Sequence, residues 1–220
     1  MTSITILLAT AASAGFIHTI IGADHYLPFI VMSKARNWTL KKTLFTTFYC
    51  GLGHVASSII IGFIGIALGY GISQIEGVFS VRGNLAGWAF FAFGFSYMVW
   101  GIFQAVKNKA QTFQTDPAQM HEQKSARLLT PWVLFIIFVL GPCEILIPLV
   151  MVPAANNDTH GIVAVSLLFS TVTVLTMCAA VAVGYYGFKV LPTARIERFM
   201  HAIAGATICL SGFAMLFLDM

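Results

Sequence analysis

Charge is what this sequence has least of. Of 220 residues, 12 are basic and 8 acidic, 9% in all, where a soluble domain carries about a quarter. So few cannot coat a globule of this size, which excludes a cytosolic enzyme and a disordered chain. Cysteine is scarce too. There are four, three of them within apolar runs, and they make no disulfide framework of a secreted scaffold. The net charge of +4 forms no single basic patch, so no nucleic acid is expected as a partner. No Lys or Arg precedes the first apolar stretch, and no clean small-residue cleavage site follows it. That stretch is therefore expected to remain as a helix, not to be removed as a signal peptide. What the chain does have is apolar: 58% hydrophobic residues and a mean hydropathy of +0.86. Its expected solvent is a lipid bilayer.

Crossing the hydrocarbon takes roughly 20 apolar residues. Six stretches qualify: Ile4–Met32, Leu44–Tyr70, Leu85–Val106, Pro131–Pro153, Gly161–Phe188 and Met200–Leu218. Eleven of the twelve basic residues fall in the first, third and fifth connections: Lys34, Arg36, Lys41 and Lys42; Lys107, Lys109, Lys124 and Arg127; Lys189, Arg195 and Arg198. Arg82 alone falls in an even one, and no Lys or Arg is expected inside a span. Basic loops stay cytoplasmic. The chain is thus expected to be a multi-pass protein of the inner (cytoplasmic) membrane with both termini outside.

The polar connection 107–130 divides the chain into a first three-helix unit, 1–106, and a second, 131–220. The two resemble each other. Gly22-Ala23-Asp24-His25-Tyr26-Leu27-Pro28 has a counterpart in Gly141-Pro142-Cys143-Glu144-Ile145-Leu146-Ile147-Pro148. The same offset of 119 (141 minus 22) sets His54 opposite Thr173 and Ser57 opposite Thr176. An odd number of spans per unit requires opposite orientations in the membrane. The expected fold is an all-α membrane protein: six transmembrane helices as two inverted three-helix repeats, with the first and fourth helices broken at Gly and Pro. Such breaks in matching places point to a transporter's midplane site.

Ionisable groups inside a span are costly and usually functional. Asp24, His25, His54 and Glu144 lie near mid-membrane by residue count, with Cys143 beside Glu144. Imidazole, carboxylate and thiol are donors for first-row divalent metals, and imidazole favours Ni, Co, Cu and Zn over Mg or Ca. Plainer readings stand beside this one. Asp24 and His25 could be an inert buried pair, His54 packing polarity and Cys143 a small hydrophobe. His18 lies seven residues before His25, roughly 10 Å away along a straight helix, so it suits a path or second weak site as well as a ligand. Ser57, Thr173 and Thr176, with Ser166, Ser170 and Thr171, could wet an ion path or only join helices. His121, His160 and His201 are expected in solvent.

The constellation of His18, five residues, Asp24-His25 and then Gly53-His54 resembles the nickel/cobalt transporter group. That group lies in the lysine exporter superfamily with the sulfite exporters, urease-accessory-like membrane proteins and the thiol-electron-conducting proteins of cytochrome c biogenesis. The resemblance implies that Asp24 and His25 are the metal-binding pair and His18 the preceding histidine, at a spacing one residue longer than the group's own. Gly141-Pro142-Cys143 resembles one of the two Pro-Cys pairs of the electron-conducting branch, and Ala23-Asp24 stands where the other would be. The expected function is a transporter, not an enzyme. A divalent transition metal would be its substrate and no cofactor would be permanently bound. The metal set would be His18, Asp24, His25, His54, Cys143 and Glu144, working by alternating access with proton coupling. Two rivals remain: a thiol/disulfide electron carrier using Cys143, and an exporter of sulfite or a related anion.

Overall fold

The computed structural model describes residues 2–69, 72–107, 131–141, 143, 145–190 and 199–217. These are helical throughout, with no strand among them. In chain order the helices are α1 (Thr2–Ile21), α2 (Leu27–Ala35), α3 (Leu40–Ala67), α4 (Ile72–Lys107), α5 (Pro131–Leu140), α6 (Leu146–Ala155), α7 (Thr159–Val190) and α8 (Met200–Phe217). Five of them, α1, α3, α4, α7 and α8, are long and apolar enough to cross a membrane. Phe45, Trp88, Phe103, Trp132, Leu167 and Val183 stand exposed on the outside, which a lipid-facing surface requires and a water-facing one would penalise. The chain is a multi-pass, all-α protein of the membrane type.

Two expected spans are not single helices. Ile4–Met32 is α1, a 3₁₀ turn at Ala23–His25, and α2. Pro131–Pro153 lies on α5, a break, and α6, each ten residues long. Proline explains the first break: Pro28 has no N–H to give, and inside a continuous helix its ring would meet the carbonyl of Asp24. As the second residue of α2, within its first turn, it is tolerated.

The order of elements recurs along the chain. Each half runs helix, break, short helix, a left-handed asparagine, long helix, further helix. Asn37 and Asn157 both have φ of 52° and lie 120 positions apart (157 minus 37). Each precedes a capped helix start: Thr39 Oγ1 accepts from Lys42 N at 3.3 Å, and Asp158 Oδ1 accepts from Gly161 N at 2.9 Å. The packing follows the same order. α2 lies on α8 and α6 on α4; α2 touches α7 and α6 touches α3; α3 pairs with α7 and α4 with α8.

The α4–α8 seam is a contact between backbones. A Cβ added at Gly94 would meet the backbone of Cys209, at Gly101 that of Ala202, at Gly205 that of Met98 and at Gly212 that of Phe91. Small residues at seven-residue spacing let two helices approach this closely where lipid offers no hydrophobic drive.

Two expectations are corrected here. Arg82 is not in a connection but within α4, whose apolar window runs Gln74–Val106, so a basic residue does lie inside a span. The helix runs on through this region because Ile75, Phe79, Ala86 and Phe90 make one buried stripe at helical spacing, and half-buried Arg82 falls in line with it. His201 is likewise not free in solvent: on α8 it is half-buried, and its Nδ1 lies 2.8 Å from the Tyr97 hydroxyl. Residues 106, 107 and 131 are helical, and the rest of the expected linker, 108–130, lies outside the described residues.

Candidate metal centre

Gly22 ends α1 and makes the first break. Its N–H still donates to His18 O at 2.9 Å, and the chain then tightens so that His25 N–H reaches back to Gly22 O at 3.0 Å. The Tyr26 hydroxyl holds a carbonyl at the end of α1, donating to Ile20 O at 3.2 Å. This fold-back swings the His25 ring over the backbone of residue 22. A Cβ there would stand 2.5 Å from His25 Nδ1 and 2.9 Å from its Cε1, so close approach is what demands glycine at this position.

The turn also brings His18 and His25 together. Their ring centroids are 4.6 Å apart, edge to face, although a straight helix would separate them by roughly 10 Å. From α3, His54 meets the other side of His25, with centroids 5.2 Å apart. Cys143, in the second break, brings its Sγ to 3.9 Å from His18 Nε2. One ligand atom each from His18, His54 and Cys143 lie within 4.8 Å of one another, close enough for the three to share an ion. Asp24 sits at the rim, with Oδ1 3.4 Å from His25 Nδ1.

Hydrogen bonding fixes which nitrogens face inward. His25 Nδ1 lies 3.0 Å from Gly22 O, and His54 Nδ1 lies 3.2 Å from Phe138 O on α5. A carbonyl can only accept, so Nδ1 carries a proton in both rings, and in the neutral imidazole the lone pair is then on Nε2. Both Nε2 atoms are buried with no partner. An imidazole held by its Nδ1–H on a carbonyl, with Nε2 open, is the usual posture of a metal ligand. A cavity of about 20 Å³ lies against Asp24, His25, His54, Phe138 and Gly141, enough for a single water-sized body. Apolar packing dries the surroundings. Phe29, Phe90 and Phe138 belong to the core on one side, and Cys143, Leu146, Val165 and Phe169 to the core on the other.

The remaining expected residues divide. Glu144 and Pro142 fall outside the described residues. Ser57 Oγ donates to His54 O at 2.9 Å and accepts from Arg82 at 2.8 Å, so it supports the site from behind. Thr173 is fully buried with Oγ1 unpartnered, in the seam where α7 meets Gly15 of α1. Thr176 is buried on the same helix. Of the other hydroxyls of α7, Ser170 and Thr171 turn back onto their own helix, to Ser166 O and Leu167 O.

Sequence reasoning missed Ser58 and Arg82. Ser58 Oγ accepts from Cys143 N at 3.0 Å and donates to His54 O at 3.2 Å. Arg82 was legible as a member of the buried stripe on α4, had that stripe been traced back past Leu85.

Compared with protein families, with curated proteins and with solved structures, the chain has no match.

Proposed function

We propose that the protein is a membrane transporter whose substrate is a divalent transition-metal ion, held between the two broken helices. The observation that carries this is the pair of buried imidazoles, His25 and His54, each anchored through Nδ1 on a backbone carbonyl with Nε2 left unpartnered. His18 and Cys143 stand beside them. Imidazole nitrogens with one thiolate suit Ni, Co, Zn or Cu and suit Mg or Ca poorly. Asp24 orients His25 through its carboxylate and supplies negative charge at the rim.

The recurrent order of elements supports two halves of three spans each, opposite in orientation, with the first spanning unit α1–α2 and the fourth α5–α6. Alternating access then amounts to one half rocking against the other around the fixed site. Imidazole and thiol must give up protons to bind metal, so loading the site releases protons and couples transport to them. The distribution of basic residues among the connections favours termini outside a cytoplasmic membrane.

The test is metal content and titration of the purified protein in detergent, wild type beside the double variant Asp24→Ala/His25→Ala. Stoichiometric Ni, Co or Zn in the wild type, lost in the variant, supports the reading. No bound metal at a pH where imidazole is neutral would sink it.

A thiol electron carrier is the second reading, favoured by Cys143 Sγ lying 3.9 Å from His18 Nε2, a neighbour that can activate a thiol. It needs a second sulfur to exchange with, and Cys50 packs in the other core, among Phe29, Met32 and Met177. An anion exporter would want a basic group aimed at its substrate. Arg82 is basic and within α4; its Nη2 is spent on carbonyls and a hydroxyl of the protein itself, while its Nη1 is buried with no partner, which is what an anion reading has to rest on.

A further inference from the structure

Arg82 is the one cation among the described residues whose guanidinium reaches the second break. From α4 its Nη2 donates to Val139 O at 2.7 Å and to Ser57 Oγ at 2.8 Å, and approaches Gly141 O at 3.5 Å. Its guanidinium carbon lies 5.2 Å from the centre of the Phe79 ring. A charge within a membrane-crossing helix is costly, so the contacts that hold it have to offset that cost.

What they do is cap a broken helix. Where α5 ends, its last carbonyls lose the N–H donors that a further turn would bring, and in hydrocarbon an unpaired carbonyl is not tolerated. His54 Nδ1 takes Phe138 O, and Arg82 takes Val139 O and reaches Gly141 O. The same network runs through the site. Ser57 and Ser58 both donate to His54 O, Ser57 accepts from Arg82, and Ser58 accepts from the backbone N–H of Cys143. His54 and Cys143 are thereby tied to one scaffold, pinned at its far end by Arg82, whose charge also acts on Cys143.

We infer that Arg82 is a positioning residue of the metal centre: its guanidinium holds the end of α5 and the second break so that the Cys143 thiolate meets the imidazoles around one ion. This rests on the transporter reading above. Arginine suits the role because it stays charged in all conditions and presents several donors in a fixed plane. Lysine offers a compact point charge on a flexible stem, with three donors that are not held in a fixed plane.

The experiment is Co(II) titration of the full chain in detergent, wild type against Arg82→Gln and Arg82→Lys, read by absorption. A thiolate on Co(II) gives a near-ultraviolet charge-transfer band, whereas imidazoles alone give only the weak visible bands. The expected result is a charge-transfer band in the wild type that is lost in Arg82→Gln while the visible bands persist. Affinity should weaken about 10- to 100-fold, as for other residues that orient metal ligands, with partial recovery in Arg82→Lys. A merely structural arginine would not remove one ligand's signature and spare the others. Wild-type affinity and band in Arg82→Gln would overturn the inference alone, leaving the transporter reading in place. A wild type that takes up no Co(II) would overturn both. If Arg82→Gln does not fold, Ser57→Ala gives the same readout, since it removes one acceptor of the guanidinium without changing charge. An unchanged band and affinity there would overturn the inference; a weakened band would support it.

Discussion

Residue 22 shows how much one missing side chain decides. The His25 ring occupies the space a Cβ would need, with His25 Nδ1 at 2.5 Å and His18 O at 3.0 Å from that point. In Gly22→Ala the ring has to move, and the Nδ1 hydrogen bond to Gly22 O moves with it. Metal affinity is expected to fall at least about tenfold while the helical content by circular dichroism is unchanged. Isothermal titration with Ni or Co checks this, and unchanged affinity would remove His25 from the ligand set. On the transporter reading, Cys143 is expected to shape selectivity as well as affinity. Cys143→Ser exchanges a soft donor for a hard one, so binding of Zn and Cu should weaken more than binding of Co or Ni, read from competition titrations of the purified variant. A redox carrier would instead lose all electron transfer in that variant, with metal binding no part of its behaviour.

Among the elements, the two breaks and the α4–α8 seam do different work. The first break was legible: Gly22 ahead of Asp24-His25 and Pro28 behind them cannot continue a helix, and the structure puts a 3₁₀ turn there. The second was legible from Gly141 and Pro148 in the same way. Their consequence was not. How near His18 comes to His25 depends on two dihedrals at Gly22, φ −72° and ψ 86°, which residue spacing does not encode. The seam depends on glycine at 94 and 205, where any Cβ runs into the facing backbone. Gly94→Leu should separate α4 from α8 at a cost of about 1–3 kcal/mol or more, lowering the thermal transition in detergent. If Gly94→Leu melts with the wild type, the two helices are not in backbone contact. Because α2 packs on α8, the same variant is expected to loosen the first break, and metal affinity should fall along with stability.

For the whole molecule the controlling fact is solvent. The exposed surface carries large apolar side chains across all the long helices, and the buried imidazoles of the described residues, His25 and His54, lie at the breaks. Metal binding should depend on pH through the inward imidazoles and the Cys143 thiol, all of which must be unprotonated to bind. Imidazole binds metal only unprotonated, and its ordinary pKa is about 6.5. Affinity is expected to hold at and above neutral pH and to be lost as pH falls through the imidazole range, with protons released to buffer on loading. Calorimetry in buffers of different ionisation enthalpy measures that release; none at all would exclude proton coupling. Reporter fusions at residues 1 and 220 test orientation, and cytoplasmic signal from both would reverse it.

The amino-acid sequence by itself determined the solvent, the helical class, the positions of both breaks and the residue types gathered there. These follow from composition, from runs of apolar residues and from what glycine and proline do to a local backbone. Only the tertiary structure decided which of those residues meet. It folded His18 back onto His25, set His54 against both, brought Cys143 in from 125 positions away, and carried Arg82 from an expected loop into a helix behind the second break. Contacts of that kind depend on how separate helices pack, and packing is settled by the whole set of neighbours at once, not by any stretch of the chain alone.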